Sequence, residues 1–327
     1  MKVCIVGAGA IGGFLGTKLA LAGASVSALA RGTTLVSLRD HGWRLQEAGE
    51  LRQSPAALAS DDPSELGRQD LLIVALKAPA LPPLASSLAP LIDRDTVVLP
   101  AMNGVPWWFS DGIDSLKGRP LESVDPGGIT AAAIPPACVL GCVVHAAATA
   151  VAPGIVQHRM GRGLMIGEPG GGSSARIGAL ATLLARAGFD VTVSERIRYD
   201  VWYKLWGNMT MNPVSAITGA TADRIQADDL VLGFCSAAMT EAAAVGARIG
   251  CAVRESPEDR HAVTRKLGAF KTSMLQDVEA RRPLELDALV GAVREIGQRV
   301  GVPTPNIDAL FGLTRLFGEV HGLYPGR

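Results

Sequence analysis

Net charge is the first thing this sequence lacks. Thirty-one Lys and Arg balance thirty-one Asp and Glu, so no long-range field draws the chain to nucleic acid or an anionic membrane surface, and only a local cationic site stays open. Cysteine is scarce too: five, at 4, 138, 142, 235 and 251, without a Cys-x-x-Cys pair. That excludes a disulfide framework. With five histidines that form no metal-spaced pair it also excludes a structural zinc site, so a reducing compartment and no bound metal are expected. No cysteine carries a nucleophile pattern, and Cys4 within an apolar run reads as core. Long apolar runs are missing as well. Pro135, Pro136, His145 and Pro153 interrupt the most apolar stretch, and no segment is expected to reach the ~18–20 residues that span a bilayer. The N-terminus imitates a secretory signal, with Ala28-Leu29-Ala30 in place of a cleavage site, but Lys18 and regularly spaced glycines interrupt the run. The expectation is a soluble cytoplasmic protein without internal repeats.

What is present is apolar side chain: 48% hydrophobic residues and a mean hydropathy of +0.26 over 327 residues. At roughly 100–200 residues per domain this allows two domains with sizeable cores. The first half alternates short apolar runs with helical patterns, the mark of a parallel, doubly wound α/β sheet: 2–6, 25–29, 71–76 and 96–99 read as buried strands. Residues 104–140 break the rhythm with Pro106-Trp107-Trp108-Phe109, Pro126-Gly127-Gly128 and Pro135-Pro136, a loop-rich insertion longer than ordinary connections. Strands return at 139–145, 154–158 and 164–166, then a helix near 175–187 and a strand at 190–193 close the sheet. Beyond about residue 196 the period becomes 3.6 over 198–217, 228–250, 257–280 and 285–300. The expected domains are 1–196, binding a ligand, and 197–327, all-helical.

Gly7-Ala8-Gly9-Ala10-Ile11-Gly12 follows a strand and opens a helix, the context that turns a bare G-x-G-x-x-G into a dinucleotide-binding (Rossmann-type) motif. Gly7 permits the tight turn, Gly9 lets the backbone approach a pyrophosphate, and Gly12 allows close helix packing. An NAD site usually places an acid at the end of the second strand to bind the ribose hydroxyls. None occurs here before Asp40; the strand ends in Arg31 instead, whose guanidinium suits a 2′-phosphate, with Arg39 placed to assist. NADP is therefore favoured, the alternative being that Arg31 is an ordinary surface charge. Lys77 and Asn103 end two further strands, where ligands of doubly wound sheets bind. Each is a candidate contact to the nicotinamide half or the substrate, or else a solvated strand end and a plain Asn-Gly turn. In the helical half Lys204, Asn208 and Asn212 stand at i, i+4 and i+8 amid Trp202, Leu205, Trp206 and Met211. If that stripe lines a cleft, Lys204 can protonate a ketone oxygen and the amides can hold substrate oxygens; an exposed amphipathic face is the alternative. Ser273 to Asp277 and Glu285 add a hydroxyl and carboxylates, a weak pattern alone.

At these residues the chain resembles the ketopantoate reductase family nearly end to end. The glycine motif, Lys77, Asn103-Gly104, Trp202-Tyr203-Lys204-Leu205 with Asn208 and Asn212-Pro213, and Ser273-Met274-Leu275-Gln276-Asp277 with Glu285 match family landmarks in order. The resemblance implies that Lys204 is the proton donor, that Asn208, Asn212 and Ser273 hold the keto acid, and that Glu285 lies at the catalytic site. It implies Lys77, Asn103 and Ala147 as NADPH contacts, and reduction of 2-dehydropantoate to pantoate. Two departures bear on the substrate: the 104–140 insertion, whose Trp107, Trp108 and Phe109 would reshape the pocket or form a homodimer contact, and Ala222-Asp223, where some relatives supply a further asparagine. The rivals are a reductase of a different 2-oxo acid on the same scaffold and a non-catalytic NADPH-binding sensor. The expected partner is a small 2-oxo acid.

Overall fold

The structure, a computed structural model, describes residues 1–326. The first strands and helices follow the apolar runs: β1 (Lys2–Val6), α1 (Ala10–Leu21), β2 (Ser25–Leu29) and α2 (Gly32–His41). A hairpin, β3 (Trp43–Glu47) and β4 (Glu50–Ser54), leads to β5 (Ala59–Ser60), α3 (Pro63–Leu66), β6 (Leu71–Val74), α4 (Pro82–Ala85) and β7 (Val97–Pro100). After α5 (Ile129–Ala133) come two long strands, β8 (Gly141–Ala152) and β9 (Ile155–Gly167), then α6 (Ala175–Arg186) and β10 (Asp190–Val193). The remainder is helical: α7 (Ile197–Thr218), α8 (Ala222–Ala227), α9 (Asp229–Arg248), α10 (Pro257–Arg265), α11 (Ser273–Glu279), a π turn (Asp287–Gly291), α12 (Ala292–Val300) and α13 (Pro305–Val320).

Two sheets form, where the sequence pattern suggested one. The first is wholly parallel in the order β5-β2-β1-β6-β7, so connections leave β1 in opposite directions, the doubly wound arrangement. The second is mixed: β9 pairs with β8 on one edge and with β3 and β10 on the other, and β4 completes it beyond β3. The expected strands at 154–158 and 164–166 are one strand. Gly161, at φ +71°, and register shifts along β8 interrupt the alternation without ending the pairing, which is why the pattern looked broken.

Helix α1 lies against both sheets, and its glycines make that possible. A Cβ at Gly12 would stand 1.9 Å from the Gly7 carbonyl oxygen, one at Gly13 2.5 Å from Val156 of β9, and one at Gly16 2.6 Å from the Trp43 ring of β3. Nine consecutive residues, Gly12–Ala20, are buried, so the helix has no polar face. Lys18 is held by Glu47 at 3.4 Å, and Glu47 also meets His158 at 3.2 Å. The Trp43 indole donates to the Val26 carbonyl of β2 at 3.2 Å, tying the second sheet to the first. All five cysteines are buried free thiols. Burial pushes Cys4 up to about 12 and Cys235 up to about 11, which leaves neither a nucleophile near neutral pH.

The chain divides into two compact units, Met1–Trp108 with Gly128–Asp200, and Phe109–Gly127 with Val201–Arg327. The boundary thus falls four residues beyond 196, and the middle of the 104–140 excursion belongs with the helices. Helix α12 holds it there: the Glu295 carboxylate accepts from the Glu122 and Ser123 amides at 2.9 and 2.8 Å, and Arg299 donates to the Arg119 and Pro120 carbonyls at 3.0 and 2.6 Å. Trp107, Trp108 and Phe109 are buried core, not a dimer surface. The expected helix 257–280 is two, α10 and α11, broken near Gly268 at φ +67°. Helix α13 lay beyond the periodic stretches read from the sequence. Helix α9 corrects a further expectation, since by length and composition it is apolar enough to cross a membrane. Its side chains are engaged within the unit: Glu241 accepts from the Asn306 and Ile307 amides at the start of α13, both at 3.0 Å, and the Met239 carbonyl accepts from the Trp206 indole at 2.7 Å.

Two outcomes follow for stability. Gly12→Ala forces the strand–helix turn apart and should cost on the order of 1–3 kcal/mol, whereas a Cβ at Gly9 meets nothing within 4 Å, so Gly9→Ala should leave the urea midpoint close to wild type. Glu168 is held below the usual carboxylate range by the Arg176 hydrogen bond, with Ser174 assisting. Its folded form therefore binds a proton less readily than the unfolded one, a stabilisation present above about pH 4.3 and lost as pH falls through the depressed folded value. Glu168→Gln should lower Tm at pH 7, with the gap to wild type closing on acidification in a thermal-melt series.

Candidate active site

The parallel sheet brings the first group of polar residues into one row. Registers Val6↔Leu29, Val6↔Val74 and Val74↔Pro100 make β2, β1, β6 and β7 end level. Beyond those ends lie, in spatial order, Arg31, the Gly7–Gly12 turn, Lys77 and Asn103. Adjacent strands stand about 4.8 Å apart, so the row spans about 14 Å. The strand order reverses between β1 and β6, which puts the turn at the switch point where such sheets bind ligands.

Each element of the row has a local cause. Gly7 sits at φ +92°, donates its amide to the Leu29 carbonyl at 3.0 Å, and has Leu76 2.5 Å from where its Cβ would be, so no other residue fits. Gly9 is the N-cap of the twelve-residue α1, with no side chain capping that end and open space on its Cβ side. Together with Ala8, Ala10 and Ile11 this is a backbone cradle open to a diphosphate at a helix N-terminus, so the residues present fit a dinucleotide. Arg31 is exposed at the N-cap of α2, followed by Gly32 at φ +61°. Half-buried Lys77 caps the short turn after β6, and Asn103 is half-buried beside Gly104 at φ +81°.

One expectation shifts. Arg39 does not stand beside Arg31: eight residues along α2 put it about 12 Å away, and its Nε donates to the Ala59 carbonyl at 2.9 Å. There it borders a concavity of about 670 Å³, lined by residues including His41, Gln53 and Glu65, which none of the motif residues reaches. Its lining includes none of Gly7–Gly12, Arg31, Lys77 and Asn103, so it is set apart from the strand-end row. Ala147 lies within β8 of the second sheet, half-buried, at a register shift opposite Met160, and not in the carboxyl-end row.

The second group occupies the helical unit. Lys204 and Asn208 are half-buried on α7, and Asn212 one turn further is 5% exposed. Asn212 Nδ2 donates to Ser273 Oγ at 3.3 Å, so the structure joins two residues 61 apart in sequence. Thr272 caps α11 by accepting from the Leu275 amide at 3.2 Å, which sets Ser273 at the first turn. Asp277 is buried in an ion pair with Arg282 at 3.0 Å and serves structure. Asp223 accepts from the Thr221 hydroxyl at 2.5 Å, and Ala222 is core. Glu285 is half-buried, two residues before the π turn. The spacing did not single out Arg260, whose guanidinium lies over the Tyr203 ring at 5.4 Å and against Gly207, next to Lys204 and Asn208 on α7. No cluster of His, Cys, Asp and Glu able to hold a metal occurs among the described residues.

Comparison with known proteins fits this layout. The model described as Ketopantoate reductase PanE/ApbA matches residues 3–171, and that for the family's C-terminal part matches 196–317. A 2-dehydropantoate 2-reductase of Mesorhizobium japonicum is 43% identical over 99% of this chain and 100% of its own length. A crystal structure assigned as a ketopantoate reductase from Ralstonia solanacearum MolK2 shares 56% identity, with a TM-score of 0.95 over 98% of this chain and 99% of that one. The 2-dehydropantoate 2-reductase of Methylococcus capsulatus shares 27% identity, with a TM-score of 0.82 over 98% of each. The chain belongs to the ketopantoate reductase family and is an oxidoreductase of the CH–OH class.

Proposed function

We propose that this protein reduces 2-dehydropantoate to (R)-pantoate with NADPH, the reductive step of pantothenate and coenzyme A synthesis, in the reducing cytoplasm that suits its five free thiols. The observation that carries the substrate is the full-length likeness to a 2-dehydropantoate 2-reductase. For the cofactor it is the row of Arg31, Gly7–Gly12, Lys77 and Asn103 along level strand ends. Arg31, with no carboxylate near it in sequence until Asp40, suits a 2′-phosphate. Lys77, Asn103 and Ala147 serve the nicotinamide half.

When bound, the reduced nicotinamide supplies the hydride that the ketone carbon accepts. The chain's own residues do the rest. Lys204 gives its proton to the carbonyl oxygen as that oxygen gains charge, and regains one from water; its cationic form also attracts the substrate's carboxylate. Asn212 and Ser273, already hydrogen-bonded to each other, hold the substrate's oxygens with Asn208. Glu285 orients the substrate at the reacting centre. A bulkier 2-oxo acid is the second reading. Trp107 favours it, because its indole N–H, four residues after Asn103, is buried with no hydrogen-bond partner among the described residues.

Loss of NADPH absorbance should be fast with 2-dehydropantoate and slow with NADH or with a panel of other 2-oxo acids; selective turnover of a bulkier acid would establish the second reading. Lys204→Ala should lower kcat by about 10²–10⁴-fold while NADPH affinity, titrated by fluorescence, stays unchanged. Arg31→Ala should weaken NADPH by roughly 10–100-fold and leave NADH alone, as expected for a lost charge-assisted contact of about 1.5–3 kcal/mol.

A further inference from the structure

The C-terminal segment folds back onto the stretch that carries Glu285. After α13 the chain turns at Gly322, φ +67°, and Leu323 and Tyr324 both donate their amides to the Gly318 carbonyl, at 2.7 and 3.2 Å. Gly318 leaves room for the return, since a Cβ there would stand 2.7 Å from that of Tyr324. The returning segment then makes two contacts that bracket Glu285. On one side the Leu284 amide donates to the Leu323 carbonyl at 2.9 Å, with both leucines buried. On the other the Tyr324 hydroxyl donates to Asp287 Oδ1 at 2.7 Å.

Asp287 opens the π turn Asp287–Gly291, a widened turn of a kind that recurs at functional sites. Its carboxylate lies against Gly291, where a Cβ would be 3.3 Å away. Burial pushes the Asp287 carboxyl above its usual range, against the opposing pull of the Tyr324 hydrogen bond and the Arg315 charge. A half-buried carboxylate facing a tyrosine is a costly way to close a helix unless the geometry it fixes is needed.

We propose that Leu323 and Tyr324 form a positioning clamp for Glu285, fixing the backbone on both flanks of that carboxylate through the Leu284 amide and the Asp287 side chain. The proposal rests on the reading of Glu285 as a substrate-site residue. A side chain held from both flanks keeps one orientation while substrate enters and product leaves, and displacement by an ångström can lower turnover without touching the reacting atoms.

The test is a double-mutant cycle on the full-length enzyme with NADPH and 2-dehydropantoate, reading kcat, the kinetic isotope effect with deuterated NADPH, NADPH affinity and Tm. Tyr324→Phe should lower kcat on the order of tenfold to a hundredfold, raise the isotope effect and leave NADPH affinity unchanged. In a Glu285→Gln background the same change should add nothing further, because the tyrosine acts through the carboxylate. Asp287→Asn still accepts from the hydroxyl and should retain most of kcat, whereas Asp287→Ala should not. Should Tyr324→Phe fold poorly, Gly291→Ala crowds the Asp287 carboxylate with the hydroxyl in place and should reproduce the kinetic loss.

A Tm loss with kcat and isotope effect unchanged would overturn the clamp, as would full additivity with Glu285→Gln. If Glu285→Gln itself kept wild-type kcat, the site reading would fall and the clamp with it, an outcome distinct from loss of the clamp alone.

Discussion

The rest of the structure depends on how closely α1 approaches the backbone around it. Gly12 sits where a single added carbon would overlap the Gly7 carbonyl, and the same helix presents Gly13 to β9 and Gly16 to Trp43. With side chains at those places the helix would stand off both sheets. Its N-terminus would then leave the turn that Gly7 makes at positive φ, and the open approach at Gly9 would lose its alignment with the ends of β6 and β7. The constraint is steric, yet its consequence is electrostatic: an uncapped helix terminus lies level with a row that also holds Arg31 and Lys77. The sheet supplies the spacing of that row and α1 supplies its centre.

The helical unit is organised by carboxylates directed at backbone amides. Glu241 binds the start of α13, Glu295 binds the Glu122–Ser123 turn, and Asp228 caps α9. Each places negative charge on amides that no helical carbonyl satisfies, so a chain with no net charge still uses charge for assembly. Helix α9 shows why composition alone misleads. Its apolar content reaches that of a membrane span, but it needs that content for a stripe of Cys235, Ala238, Met239, Ala242 and Val245, and it carries Glu241 toward the start of α13.

The sequence pattern located β1, β2, β6 and β7 almost to the residue, because strands buried on both faces read as unbroken apolar runs. It did not reveal β3 and β4. Trp43-Arg44-Leu45-Gln46-Glu47 alternates, but the run is polar enough to pass for the end of a helix, and its pairing with β4 and β9 makes it a strand. Helix α13 was missed for the opposite reason: Leu313, Leu316 and Val320 are exposed, so its apolar positions do not form one stripe. In the candidate site, the positions fixed by local geometry were legible: the glycine turn, Arg31 after β2, and Lys77 and Asn103 at strand ends. The Asn212–Ser273 pair joins helices 61 residues apart, and spacing along either one could not have paired them. Family resemblance brought Ser273 and Glu285 forward where periodicity had little to say.

The two polar groups are supported in different ways. In the parallel sheet each residue follows a strand whose neighbours fix its height, so the row is as rigid as the hydrogen-bond ladder beneath it. In the helical unit the candidate site residues come from α7, from the first turn of α11 and from the approach to a π turn, elements whose relative positions are not fixed by any shared ladder. Such a set needs cross-links between side chains and from distant backbone. Asn212 bonded to Ser273 is one, and the returning Leu323–Tyr324 segment against Leu284 and Asp287 is another. Leu323 and Tyr324 are thereby tied to a helix approach some forty positions earlier, which gives the segment after α13 a place in the order of the unit.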